Sequence, residues 1–248
     1  MGPDSLTALS NGILLVAAHL SASTDTAALA QLLYHANSVP LSPQWLRRVP
    51  DPQAAEGLLL GDATTRGTLE AHWHSRSDRH WLYFTPRARG RRAVRRKLYV
   101  SVLPDDSPGA LSAAVEVMAQ TRTAQFKVAR QARALLRPDR MVIYLASPEE
   151  LDELAGGLAH PLAGLRPQGV PFSGELGGSA ALSWGADPPA RVRSFAKSWR
   201  TWVTRKLAAY LRAADAADAE GRADFARARL AEEGVDLETW APLPALWS

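Results

Sequence analysis

The chain has 248 residues, 46% of them hydrophobic, and contains no cysteine. That is enough apolar material for a true core, and it excludes a disulfide scaffold, a thiolate nucleophile and cysteine-ligated zinc. The formal charge of +4 is unevenly spread, because residues 87–140 hold 13 basic side chains against four acidic ones. The flanks are therefore net acidic, and a polyanionic or phosphorylated partner is expected at the middle.

No apolar run approaches the roughly 18 to 20 residues that a membrane span requires. The stretch 13–18 has no preceding positive charge, so neither a signal peptide nor a membrane partner is expected, and a cytoplasmic location is the default. Residues 1–46 contain no Lys or Arg, and Leu6, Leu9, Ile13, Val16 and Leu20 recur at helical spacing. A second helix is expected around Ala28, Leu29, Leu32 and Leu33, after the cap Thr24. Prolines and glycines then punctuate 38–68, which is expected to be loop with one short helix at most. Segments 69–74 and 80–85 alternate like strands and are expected to form a hairpin around residues 75–79, followed by the arginine run of 87–96.

The centre is more regular. Leu98, Val100 and Val102 alternate with Tyr99 and Ser101 in a strand, and Ser107 before Pro108 is expected to cap a helix reaching about Gln120. Further strands are expected over 124–129 and 141–146, the latter apolar enough to be central. Ser147 with Glu150 forms a capping box for a helix carrying Leu151, Leu154 and Leu158. The Gly- and Pro-rich segment 161–189 has the character of a functional loop or lid, with short strands over 170–173 and 180–184. Helices follow from about Ser194 and from Asp218 to Glu233. The fold class is α+β, a central, mostly antiparallel sheet with helices at both ends. Residues 1–66 form an N-terminal helical segment packed on a main body of 67–248.

Common catalytic motifs are missing: the sequence has no P-loop, no dinucleotide fingerprint, no zinc-protease helix and no nucleophile elbow. His72 and His74 share one strand face in this reading, near His80, Glu70 and Asp78, but a solvated surface explains them better than a metal. Only four lysines occur, Lys97, Lys127, Lys197 and Lys206, among 29 basic residues. Arginine stays charged, whereas lysine loses its proton when burial or cationic neighbours lower its pKa, so a retained lysine is a candidate base. Lys97, Tyr99 and Ser101 point to one face of their strand, and Lys127 sits mid-strand between Phe126 and Val128. If these strands pair, both lysines line one cleft. Burial of an unpaired lysine there is costly unless something requires it.

The order Lys97-Leu-Tyr99-Val-Ser101-Val, then Phe126-Lys127-Val128, then Arg137-Pro-Asp139 before Val142-Ile-Tyr144 resembles the phosphothreonine lyase superfamily. The likeness is greatest to the effector-like lyase branch of class V lanthipeptide and thioamitide maturation, and it covers roughly residues 25–245. This resemblance implies an α+β fold with no cofactor and no metal. It also implies β-elimination of phosphate from phosphoserine or phosphothreonine, leaving dehydroalanine or dehydrobutyrine. It assigns Lys127 as general base, Lys97 and Tyr99 to the catalytic set, and Arg137, Tyr144, Arg193 and Arg200 to phosphate and substrate. Effector lyases carry histidine where this chain has Tyr99, and Trp199 stands where the branch carries arginine.

The implied partners are a phosphorylated precursor peptide and a separate aminoglycoside-phosphotransferase-like kinase in a hetero-complex, since no ATP motif is present. Two alternatives stay open. One is a nucleic-acid-binding module using the arginine run with Trp73, Trp81 and Tyr83 stacked on bases; the other is an inactive phosphopeptide binder. Bland readings also exist: solvated arginines, Tyr99 and Tyr144 as ordinary strand aromatics, and Trp199 and Trp202 as core packing.

Overall fold

The computed structural model describes residues 5–87, 93–121, 124–188 and 198–243. The N-terminus folds as two helices, α1 (Leu6–Leu20) and α2 (Thr26–His35). The cap of α2 is Asp25 rather than Thr24, because its carboxylate accepts from the N–H groups of both Ala27 and Ala28. The segment expected to be loop instead holds three short helices, α3 (Pro43–Arg48), α4 (Pro52–Leu59) and α5 (Ala63–His72). Ser42, Asp51 and Asp62 cap them, and Pro43 and Pro52 stand at the helix start, where the missing N–H has no intrahelical partner to lose. The prolines initiate helices here.

The hairpin is present but shifted: β1 (Trp73–Ser77) pairs with β2 (Trp81–Pro86), and the residues from Leu69 to His72 belong to α5. Asp78 makes the turn by accepting from the N–H groups of His80 and Trp81 at 2.8 Å each. His72 thus lies on a helix and His74 on a strand, so the two do not share a strand face. The centre follows the expected order with β3 (Arg96–Val100), α6 (Ser107–Gln120), β4 (Gln125–Ala129), α7 (Ala132–Leu135), β5 (Met141–Leu145) and α8 (Pro148–Leu162). Ser107 lies inside α6 and donates to the Leu103 carbonyl instead of capping. Ser147 does cap α8, while Glu150 reaches back one residue further than a regular box, to the Ala146 N–H.

The segment read as a lid is structured. Strands β6 (Gly174–Leu176) and β7 (Ser179–Ala186) form a hairpin over Gly177 and Gly178, whose φ angles of 65° and 63° require glycine. No strand covers 170–173, where Phe172 adopts φ 61°. The helix α9 (Trp199–Ala213) begins at Trp199, later than expected, because Ser198 is extended and caps it through Thr201 N–H. The last helix, α10 (Ala219–Glu232), starts after the Asp218 cap as expected.

The α+β class with a central sheet holds. Seven strands order as β1-β2-β4-β5-β3-β7-β6, and the pairs β1–β2, β2–β4, β4–β5 and β5–β3 are all antiparallel. The described chain divides into two compact units. One comprises Asn37–Val170 with Ser179–Ser183, and the other comprises the residues up to Ala36, Pro171–Gly178 and those from Trp184 onward.

In the first unit, register gives strands β2 to β5 an apolar face. Leu98, Ile143, Phe126 and Phe84 lie in one cross-strand row and Val100, Met141, Val128 and Leu82 in the next, all buried. Phe84 stacks on Phe126 with centroids 4.5 Å apart, and Trp73 meets Phe126 edge-on at 5.6 Å. The second unit has its own core, in which Trp199 stacks on Trp202 and donates to the Phe172 carbonyl at 2.9 Å. The two tryptophans are core residues of that unit.

Truncating Phe126 removes a ring at the centre of the apolar rows, so Phe126→Ala should lower unfolding free energy by about 3–5 kcal/mol. Urea denaturation checks this, and a loss below about 1 kcal/mol would contradict the packing described.

Candidate functional site

The other face of the same sheet is polar. Antiparallel register aligns Tyr99, Val142, Lys127, Tyr83 and Arg76 in one row, and Lys97, Tyr144 and Gln125 in the adjacent one. Lys97 and Lys127 do not sit on neighbouring strands, as the pairing condition in the sequence reading required. Strand β5 lies between β3 and β4, so the lysines flank it, and Tyr144 and Val142 fill the space between their rows. Both lysines still line one face. Lys97 is buried with its Nζ 5.8 Å from the Tyr144 ring, and Tyr99 is buried with Val142, Val170 and Tyr144 around it. Strand β3 ends at Val100, and Ser101 beyond it is tied by its backbone to Ala181 and Gln168.

Lys127 is half-buried. Burial pushes its pKa down from 10.5 to about 8, the Lys97 and Arg137 charges push the same way, and Asp139 and Asp78 oppose them. Among the described residues no carboxylate approaches Lys127 within ion-pairing distance; its Nζ instead lies 3.7 Å from the centroid of Trp81. Trp81 reaches it from β2, opposite Ala129.

Arg137 precedes β5 and is held by Asp139 in a fork, Nε to Oδ1 at 2.8 Å and Nη2 to Oδ2 at 2.7 Å. The buried carboxylate fixes the guanidinium plane, and the Arg137 Cζ lies 6.0 Å from the Trp81 ring. At the turn, Asp78 accepts from the Tyr83 hydroxyl at 2.8 Å, and Arg76 lies 4.0 Å over the Tyr83 ring. Burial and the Asp78 bond raise the Tyr83 pKa.

Five of the seven expected residues, Lys97, Tyr99, Lys127, Arg137 and Tyr144, thus belong to one face of the first unit. Arg200 lies in the second unit, buried, donating to the Tyr34 carbonyl at 2.7 Å and stacked 4.8 Å from its ring. Arg193 lies outside the described residues, as do residues 88–92 of the arginine run.

Sequence reasoning missed Asp139 and the use of Trp81. The first was legible in Arg137-Pro-Asp139, a spacing that returns the carboxylate to the guanidinium. The second carried no local signal.

Of the tryptophan and tyrosine trio proposed for base stacking, Trp73 is buried and its Nε1 donates to the Ala124 carbonyl. Trp81 and Tyr83 already face cations of the chain itself. A cavity of about 420 Å³ lies beside the hairpin, but Leu69, Trp73, Leu82 and Phe84 line it, on the apolar face away from the lysines. Among the described residues no group of three His, Asp or Glu is placed to hold a metal ion, and no helix is long and apolar enough to cross a membrane.

No family model matches the chain, and no curated protein matches it at a significant level. Among solved structures, an effector protein from Pseudomonas syringae pv. tomato strain DC3000 aligns with a TM-score of 0.57 at 14% identity, over 96% of this chain and 98% of that chain. The fold is therefore shared with that effector. An effector from Pseudomonas syringae pv. syringae strain 61 aligns with a TM-score of 0.47 at 17% identity, over 95% of this chain and 99% of that one. The phosphothreonine lyase SpvC, an effector from Salmonella, aligns with a TM-score of 0.42 at 11% identity, over 81% of this chain and 99% of that one. At these last two scores the likeness carries no argument.

The Lys127 amine makes a prediction about stability. Between pH 8 and 10.5, the folded and unfolded pKa values of Lys127, the unfolded chain binds more protons than the folded one. The lysine therefore costs stability in full below pH 8, and the cost fades as pH rises towards 10.5. Lys127→Met should stabilise the chain by about 1–3 kcal/mol at pH 7, with a smaller gain at higher pH. Paired urea titrations of both proteins across that range test it; destabilisation at pH 7 would contradict the burial of this amine.

Proposed function

We propose that the chain is a phosphoserine/phosphothreonine lyase acting by β-elimination. One observation carries this reading: a half-buried lysine with a depressed pKa shares a sheet face with a second lysine and a carboxylate-anchored arginine, with tyrosines in the adjoining positions. Elimination needs a base for the α-proton and cations for a phosphate carrying about −1.5 to −2 charges. Lys127 takes the α-proton, the C–H electron pair becomes the Cα=Cβ bond, and the Cβ–O pair leaves with phosphate. Lys97 and Arg137 hold the leaving phosphate. Tyr99, in the same cross-strand row as Lys127, is the hydroxyl assigned to the leaving oxygen, in the place the resemblance gives to histidine.

The sequence resemblance supports the reading, and the fold is shared with a bacterial effector. The finer proposal concerns the substrate: a ribosomal precursor peptide phosphorylated by a separate aminoglycoside-phosphotransferase-like kinase and dehydrated here during peptide natural-product maturation. It rests on the resemblance and on the absence of ATP motifs.

Incubation with a phosphothreonine peptide, with and without a leader-like extension, should release phosphate and leave an unsaturated residue. The rate should rise with pH through about 8, where Lys127 becomes neutral, and Lys127→Ala should lower it by about 10²–10⁴-fold. Phosphate release that leaves a hydroxyl would make the protein a phosphatase, and binding without release would make it a phosphopeptide binder. Equal rates with and without the extension would remove support for the precursor-peptide proposal.

A further inference from the structure

We propose that Trp81 is a positioning residue for Lys127, an aromatic seat that keeps water from the amine and receives its positive charge as it takes up a proton. The inference rests on the lyase reading above, but its geometry stands apart from it. The Lys127 Nζ lies 3.7 Å from the indole centroid, which is face contact rather than proximity. The two residues project from adjacent antiparallel strands whose register is fixed by Trp81 opposite Ala129 and Tyr83 opposite Lys127.

The charged and titratable groups around the amine come from several elements. Lys97 comes from β3, Arg137 and Asp139 from the segment before β5, Asp78 from the hairpin turn, Tyr83 from β2 and Tyr144 from β5. Their charges nearly offset one another, two carboxylates against two cations, so a neutral ring can decide how readily the amine carries charge. A resting amine against the indole sheds water. In the transition state a proton arrives on Nζ, and the negative face of the ring stabilises the cation that forms. An interaction stronger in the transition state than in the ground state raises kcat rather than lowering KM.

The same indole lies 6.0 Å from the Arg137 Cζ, so the base and a phosphate-holding cation are referenced to one rigid plane. Asp139 completes that frame by fixing the Arg137 guanidinium through two hydrogen bonds.

Two variants separate the π face from mere burial. Trp81→Leu keeps the wall apolar and removes the ring, and Trp81→Phe keeps a smaller ring. The first readout needs no catalysis: amine-reactive labelling of Lys127 across pH, resolved from the other lysines by peptide mass. In Trp81→Leu the apparent pKa of Lys127 should fall by about half a unit to one unit, because the ammonium loses its partner while burial persists, and Trp81→Phe should recover most of the difference.

The second readout is elimination from a phosphothreonine peptide. In Trp81→Leu, kcat should fall by about 5- to 30-fold with KM changed less than about twofold, and the rising limb of the pH profile should move to lower pH. A label pKa unchanged in Trp81→Leu, or equally shifted in Trp81→Phe, would overturn the proposal. So would a raised KM at constant kcat, which would assign the indole to substrate. If the unmodified chain eliminates no phosphate while the labelling shift appears, the aromatic seat stands and the lyase reading falls.

Discussion

A lysine amine kept largely from water, with no carboxylate paired to it, is the constraint around which the first unit is arranged. Such a group destabilises the fold below its pKa, and a β-sheet is a suitable place to hold it because register fixes which side chains surround it. The cost is offset by the opposite side of the same strands. There Leu98, Ile143, Phe126 and Phe84 form an unbroken buried row, so each strand that carries a polar residue to one face contributes an apolar neighbour to the other.

The same unit contains a fully buried guanidinium, and the contrast with Lys127 explains what each is for. Arg140, pushed down to about 9 by burial, donates to the Leu135 and Val102 carbonyls, to the Gln168 side chain and to Ser107. Gln168 in turn donates to the Asn37 and Leu136 carbonyls, and Asn37 donates back to the backbone at Gln168 and Gly169. That network consumes the donors of the guanidinium and cross-links distant segments, so Arg140 is structural. Lys127, by contrast, meets an aromatic face and mixed charges at longer range. A cation saturated with carbonyls is fixed in its protonated form, whereas one against a ring keeps a lone pair within reach of neutrality.

Asp139 has two effects through one carboxylate. It holds Arg137 in a planar fork, and its charge limits how far burial lowers the Lys127 pKa. The base therefore titrates at about 8 rather than lower. Arginine is required for the fork, because a lysine ammonium presents no planar pair of donors to a carboxylate.

Much of this was legible in the sequence, for local reasons. Alternation fixed the faces of β3 and β4, and short polar side chains before apolar runs marked most helix starts. Errors arose where one residue type serves opposite ends of an element: Pro43 and Pro52 were read as breakers, although proline at the first helical position starts a helix. The candidate base was identifiable from Lys127 alone, since a mid-strand lysine among apolar neighbours has to be accounted for within its own pentapeptide. Strand order was not, because antiparallel pairing joins residues far apart in the chain. Only the tertiary structure placed β5 between the two lysines and brought Trp81 over Lys127 from a strand more than forty residues earlier. Alternation decides which way a side chain points; what it meets there depends on the register of another strand, and that is a property of the folded sheet.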